Sequence, residues 1–468
     1  MSEPHDGGAD AAAIRAAAVA AVQPQALVAR RLMIRADELL LDGRPIVPLG
    51  DTGRIVVVGG GKAAAGMAAA MERLLLTAGI APARLAGLVS VPAGCGMALD
   101  RIEVRETRPA GRNMPTPAAE AATREMLALV AGLTGADLAI VVVTGGGSAL
   151  VAVPRAGVPL AEKVAATTFL AAAGADIREL NTVRQVASDV KAGGLARACG
   201  AGRLVALVLS DVIGDPLDMI ASGPCMPVTP RPVAALAVLE RCGMIAAGIA
   251  PRLVARLEAD AAVADAAPAS AGTGSSWTTP RGCRVDHVLL GSNATAVEAA
   301  AVAARARGYD VVVRPAAPAV TETADEVGRR LGAEGLVLAE RAARAGRGLA
   351  VIEGGEAVVT LPAEPGRGGR NQQTAVAALA AVRASGRGWP RGLCIASVGT
   401  DGEDGPTTAA GGLVDAGVAT AVERAGLDVE RALARCDAYP LLARAGGLIV
   451  TGPTGTNVAD VRLVLARP

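Results

Sequence analysis

Residues 54–71 read RIVVVGGGKAAAGMAAAM, and residues 137–150 read DLAIVVVTGGGSAL. Each stretch is apolar at nearly every position, then carries three consecutive glycines, then continues in small residues suited to a helix. Unbroken Val and Ile runs fit strands covered on both faces, the condition of a parallel sheet flanked by helices. Residues 85–91 (LAGLVSV) and 204–211 (LVALVLSD) repeat the strand pattern. The predicted fold class is therefore α/β, with a Rossmann-like parallel sheet in the N-terminal part.

Downstream, the pattern loosens beyond Cys242, and residues 259–282 are rich in Ala, Ser, Thr, Gly and Pro without a long apolar run. Such composition reads as a connection between domains. The organisation predicted is an N-terminal domain over residues 1–250, a connecting segment over 251–283 and a C-terminal domain over 284–468. Strand-like runs resume at 287–290, 310–313, 349–353, 357–361, 393–398 and 448–451. They predict a mixed α/β second domain with a β-hairpin at EGGEAVVTL, residues 353–361.

Composition removes several function classes. Aromatic residues are 1% of the 468 residues, so stacking platforms for single-stranded nucleic acid are not expected. Lys+Arg 46 against Asp+Glu 45 leaves a formal charge of +1, without the basic excess that binding to a phosphate backbone demands. Seven scattered cysteines, with no C-x-x-C pair, read as reduced thiols rather than a disulfide or zinc framework. The first ten residues, MSEPHDGGAD, lack the basic and apolar regions of a signal peptide, and apolar runs break before the roughly 18–20 residues of a membrane helix. A cytoplasmic protein is expected, with neither membrane nor nucleic acid as partner. With only His5 and His287 available, and His287 at the entrance to an apolar run, triads and His-based metal sites recede.

The glycine turns point to anions. Gly59-Gly60-Gly61-Lys62 places flexible backbone and a full positive charge between a strand and a helix. It is not a Walker A loop, because Val56 and Ala63 stand where that motif needs Gly and Ser/Thr. It matches G-x-G-x-x-A through Gly59, Gly61 and Ala64, but the acidic residue expected about 20 positions later in a dinucleotide site is absent. Gly145, Gly146, Gly147 and Ser148 form a second candidate phosphate nest. In LVLSDVIGDPLDMIASGP, Asp211 and Asp215 flank a glycine turn after a strand, suiting Mg²⁺ that also bridges substrate phosphates; Asp215 equally suits a helix cap. In the second domain the further candidates are Asn293, with Thr454 and Asn457 within GPTGTN, for nucleotide or phosphate, Arg370 within GRGGRNQ, and Asp401 within GTDGEDG as a further metal ligand. An arginine in a glycine loop can stabilise charge on a transferring phosphoryl group. Asp211 or Asp401 could accept the proton of the attacking hydroxyl.

These segments together resemble the class II glycerate 2-kinases, with an N-terminal glycerate-kinase domain and a C-terminal MOFRL domain. GGGKAA, TGGGSAL, NTVR, SDVKAGGLA, LSDVIGDPLDMIASGP, GSNATA, GRGGRNQ, SVGTDGEDGPTTAAG and GGLIVTGPTGTNVADVR follow that family's order over residues 21–465. The resemblance implies phosphorylation of D-glycerate at its 2-hydroxyl with ATP and Mg²⁺, in a cleft between the domains of a monomer or homodimer. It places the family's functional lysine on Lys62 and its functional arginine on Arg370. Where the family reads Arg-Lys-His after Asn-Thr-Val, this chain has Arg184, Gln185 and Val186, and its Gly-His-Pro is Gly111-Arg112-Asn113. Both departures bear on the acceptor. Two rival readings are an NAD(P)H-dependent hydroxypyruvate reductase, after an older family label, and a non-catalytic nucleotide or sugar-acid binding protein.

Overall fold

The computed structural model describes residues 7–109, 111, 113–264, 276–317 and 322–468. Two compact units emerge, Leu27–Leu290 and a second that joins Met1–Ala26 to Gly291–Pro468. Both are α/β.

The first unit is built on a seven-stranded sheet. Its spatial order is Ile102–Arg108, Leu85–Pro92, Ile55–Gly60, Leu138–Val143, Arg203–Leu209, Arg284–Gly291, Ser276–Thr278. The first five strands are parallel neighbours. Ile55–Gly60 and Leu138–Val143 are buried at every residue, which is why their sequences do not alternate. Helices Ala64–Thr77 and Pro117–Ala131 pack on this sheet. Register sets the functional edge: Gly60 lies opposite Ser90 and Val143, and Val143 opposite Val208. Both glycine loops and Asp211 therefore leave the sheet at one carboxyl edge, where ligands of open parallel sheets bind. A small antiparallel meander, Leu32–Arg35, Glu38–Leu41 and Arg44–Pro48, precedes the sheet.

The second unit carries a six-stranded mixed sheet in the order Tyr309–Arg314, Gly348–Gly355, Asp460–Ala466, Leu393–Gly399, Gly411–Val414, Leu448–Ile449. Only its first pair is parallel. Helix Arg370–Ala384 is nearly sheathed in protein and packs along Ala324–Ala345. Close approach is possible because Gly328 and Gly332 are glycines: an added Cβ would stand 2.3 Å from the Thr374 carbonyl oxygen and 2.5 Å from that of Ala378.

Three expectations are corrected. The division at 1–250, 251–283 and 284–468 does not match the units. Helix Gly7–Ala21 packs on Asn293–Ala306 of the second unit, where buried Asp10 accepts from Tyr309 Oη and Arg467 Nη2, each at 2.8 Å. The supposed connector contains helix Pro251–Ala264, whose Leu253 and Leu257 share one face and are fully buried. Arg284–Gly291 then completes the first sheet, while residues 265–275 lie outside the described residues. The hairpin at 353–361 is also absent: both edges of Gly348–Gly355 are taken by Tyr309–Arg314 and Asp460–Ala466, and residue 358 makes a single bridge to Thr323.

His287 lies in strand Arg284–Gly291 with Nε2 on the Cys225 carbonyl at 3.1 Å, a structural position, whereas His5 falls outside the described residues. All seven cysteines are free thiols. No single helix among the described residues is long and apolar enough to cross a membrane.

Candidate active site

In the first unit the two glycine loops are braided. The Thr144 hydroxyl is buried between them and accepts from the Ala63 N–H at 3.2 Å, while the Lys62 N–H donates to the Gly145 carbonyl at 2.9 Å. Gly61 has φ +144°, and a Cβ there would stand 1.9 Å from Thr144 Oγ1. Only glycine fits. The Gly61 N–H is likewise taken, by the Ser90 carbonyl at 3.2 Å.

Labour is thus divided differently from the sequence expectation. The backbone of Gly60, Gly61 and Lys62 braces the fold. The anion-receptive backbone belongs to the second loop, where the Gly145 and Gly146 N–H groups make no hydrogen bond among the described residues. Gly146 is left-handed, φ +77°, and a Cβ on it would stand 3.3 Å from Arg108 Nη2 and 3.9 Å from Lys62 Cγ. The Arg108 guanidinium and the stem of the Lys62 side chain therefore flank the glycine whose N–H is open. Helix Gly147–Leu150 continues from this nest.

Arg108, at the end of strand Ile102–Arg108 and 5% exposed, was not singled out from the sequence. Nor was Lys191, which is 2% exposed and holds the nest from behind. Its ammonium donates to Ser148 O at 3.0 Å, Ser148 Oγ at 2.9 Å and Ala221 O at 3.1 Å. Ser148 Oγ lies 3.2 Å from Ser222 Oγ, which donates to Asn181 Oδ1 at 2.9 Å. A sequence signal for Lys191 exists: of 46 basic residues only Lys62, Lys163 and Lys191 are lysines. Three tetrahedral donors in a closed pocket are what an ammonium provides and a planar guanidinium does not.

Gln185 and Val186 have local duties. Gln185 Nε2 donates to the Asp218 carbonyl at 3.2 Å, and Val186 is 4% exposed within a helical core. Arg112 lies outside the described residues.

Asp211 follows the strand that ends at Leu209 and is half-buried; Asp215 takes a left-handed φ of 54° in the turn after it. Among the described residues no group of three or more His, Cys, Asp or Glu forms a cage. One or two carboxylates are enough for Mg²⁺, which keeps several of its waters. Asp211 and Asp215 fit that chemistry.

In the second unit the register sets Asp460 between Gly355 and Gly399, which brings Glu356, the 400–404 loop and residues 457–460 to one sheet edge. Arg370 begins its helix there. It grips buried Asp460 through Nε at 2.8 Å and Nη2 at 2.9 Å, and Glu356 through Nη1 at 2.8 Å. Although desolvation opposes it, the Asp460 and Glu356 charges hold the guanidinium above its ordinary pKa. Gly369 has no side chain to cap this helix, and Asp404 supplies the cap from another loop. Its carboxylate accepts from the Asn371 N–H at 3.0 Å and the Gln372 N–H at 2.9 Å. Burial pushes the Asp404 carboxyl up to about 6, against the pull of those two donors.

The remaining candidates shape loops. Asn293 is 7% exposed and spends its amide hydrogens on the Val458 and Asp460 carbonyls, each at 2.9 Å. The Thr454 hydroxyl donates to Thr400 O at 2.6 Å, and its N–H donates to Asp401 O at 3.1 Å. Asn457 Oδ1 accepts from the N–H of Ala459, whose φ is 64°.

Residues 10–258 match a family described as a domain of unknown function, DUF4147, and residues 349–460 match the MOFRL family. The chain is 36% identical over 465 residues to glycerate kinase of Homo sapiens, covering 88% of this chain and 84% of that protein. It is 34% identical over 368 residues to D-glycerate 2-kinase of Thermotoga maritima, covering 78% and 80%. A crystal structure of glycerate kinase from Thermotoga maritima is similar over 98% of each chain, with a TM-score of 0.78 and 32% identity.

Proposed function

Because the chain belongs to the glycerate kinase family that carries a MOFRL domain, we propose that it phosphorylates D-glycerate at the 2-hydroxyl, converting ATP to ADP and releasing 2-phosphoglycerate. The observation that carries this reading is the nest at Gly145 and Gly146, with open N–H groups and the side chains of Lys62 and Arg108 beside it. Phosphoryl transfer depends mainly on positioning and electrostatic stabilisation, which these groups supply.

Lys62 and the Gly145–Gly147 turn would hold the phosphates of the nucleotide, with Ser148 kept in place by Lys191. Asp211, with Asp215, would hold Mg²⁺, which when bound neutralises phosphate charge. The 2-hydroxyl oxygen forms the new bond to the γ-phosphorus as the bond to the β,γ-bridging oxygen breaks, and Asp211 or Asp401 takes the hydroxyl proton. Arg370, clamped flat by Asp460, would orient the transferring group. We place the enzyme in the cytoplasm, as a monomer or homodimer without nucleic-acid or membrane partners.

The test is ADP release with ATP, Mg²⁺ and D-glycerate, with L-glycerate and acceptor-free controls and NMR of the product. Stereoselective formation of 2-phosphoglycerate is expected. Lys62→Ala should lose at least about 100-fold in turnover with an unchanged circular dichroism spectrum; wild-type turnover by this variant would remove Lys62 from the mechanism.

A further inference from the structure

Arg184 stands on helix Ile177–Val186, half-buried, and makes no hydrogen bond or ion pair among the described residues. That is unusual for a guanidinium withdrawn from water, because desolvating a charge without a partner is unfavourable. Its helix face is fixed. Asn181, one turn earlier, accepts from Ser222 Oγ at 2.9 Å, and Gln185 donates to the Asp218 carbonyl at 3.2 Å. Ser222 in turn meets Ser148 at 3.2 Å, so this face belongs to the same hydrogen-bonded chain as the glycine nest.

The surroundings are positive as well. Lys191, behind Ser148, donates only to uncharged oxygens and has no carboxylate partner among the described residues. Lys163, 4% exposed, has the Val153 carbonyl at 3.5 Å as its acceptor. Burial, then the charges of Lys163 and Arg184, push the Lys191 amine well below its ordinary pKa, so the three basic groups feel one another. Of the carboxylates that act on Lys163, Asp189 is committed to Arg155 at 3.3 Å and to the Ala156 N–H at 3.0 Å, and Glu120 to Arg124 at 2.6 Å. Three basic groups gathered without an ion-pair partner among the described residues form a site that an anion would complete, because a bound anion favours their charged forms.

We propose that Arg184 grips the carboxylate of the hydroxy-acid acceptor, in a subsite beside Ser148, Ser222 and Asn181 whose positive potential is reinforced by Lys191 and Lys163. This rests on the kinase reading and deepens it. A planar guanidinium matches a carboxylate bidentately, and half-buried Ser148 is the flanking hydroxyl left accessible to a hydroxy acid, since Ser222 and Asn181 are buried and bonded to each other. The phosphates already have Lys62 and the Gly145–Gly146 nest.

The test compares wild type with Arg184→Gln, using D-glycerate and D-glyceramide, which keeps both hydroxyls but lacks the carboxylate. Arg184→Gln should raise KM for D-glycerate roughly 10- to 100-fold, leave KM for ATP within about twofold, and abolish the preference for the acid over the amide. Its melting temperature should equal or exceed that of wild type, since a repelled cation has been removed. An unchanged KM for D-glycerate, or a rise confined to ATP, would overturn the assignment. If wild type does not turn over D-glycerate, the kinase reading itself fails. Thermal stabilisation by D-glycerate without nucleotide then decides the subsite: protection of wild type but not of Arg184→Gln supports it, and equal protection or none overturns it.

Discussion

Lys163 offers a measurement in which the buried cations declare their energetic effect. It lies in helix Leu160–Ala172, is 4% exposed, and has a carbonyl acceptor at 3.5 Å. Burial, helped by the Arg184 charge, lowers its pKa from 10.5 to about 7, although Asp189 and Glu120 pull upward. The folded state therefore binds fewer protons than the unfolded state between about pH 7 and 10.5. Stability must rise with pH across that window, by at most about 1.4 kcal/mol per pH unit from this group. At pH 7 the displacement corresponds to an unfavourable term of about 4 kcal/mol relative to a solvated lysine, an upper figure because neighbouring groups relax. Lys163→Met keeps the unbranched stem and removes the charge. We expect a gain of about 1–3 kcal/mol at pH 7 and a flatter stability profile from pH 7 to 10. Urea unfolding followed by Trp277 fluorescence, in a Trp389→Phe background so that the signal comes from the first unit, reads both quantities. A destabilised Lys163→Met, or one whose stability climbs with pH as steeply as its parent, would refute the reasoning.

Two further outcomes follow from the loops. Gly61→Ala would drive a Cβ to 1.9 Å from Thr144 Oγ1, so the braid must open; we expect a loss of about 3 kcal/mol or more and a weakened affinity for ATP, checked by chemical unfolding and nucleotide titration. Asp404→Ala strips the cap from helix Arg370–Ala384 and leaves the Asn371 and Gln372 N–H groups unmet in a buried position, at a cost of about 2–4 kcal/mol. Calorimetry checks this, and an unchanged melting profile would show that the cap is dispensable.

Legibility in the sequence followed the range of the interactions. Strands Ile55–Gly60 and Leu138–Val143 were readable because burial on both faces writes itself into consecutive Val and Ile residues. The glycine loops were readable because a left-handed or crowded backbone position demands glycine locally. Helix Pro251–Ala264 was not, since its core contacts rest on Leu253 and Leu257 amid alanines that a linker could equally contain. The transfer of Gly7–Ala21 to the second unit hangs on Asp10, whose partners Tyr309 and Arg467 are 299 and 457 residues away. No local pattern encodes such a contact. The same holds for the Asp404 cap, which looks in sequence like one more acidic glycine loop. Arg108 escaped because it ends a strand outside any glycine loop, and Lys191 because it precedes Gly193 and Gly194 in a turn that follows no predicted strand, although the scarcity of lysine marks it.

The two sheet edges differ in how their charge is balanced, and that difference underlies the roles proposed for Arg370 and Arg184. On the second unit, Arg370 already faces two carboxylates, Asp460 and Glu356, and three of its five N–H donors are engaged. Its net charge is therefore spent within the protein, and what it can offer a transferring phosphoryl group is direction: a guanidinium plane set by both oxygens of Asp460. On the first unit, Lys191 and Arg184 have no acid opposite them among the described residues, and the Gly145 and Gly146 N–H groups are open. On this argument Arg370 variants lose kcat while Arg184 variants lose affinity, a split that follows from the carboxylates present at one edge and missing at the other.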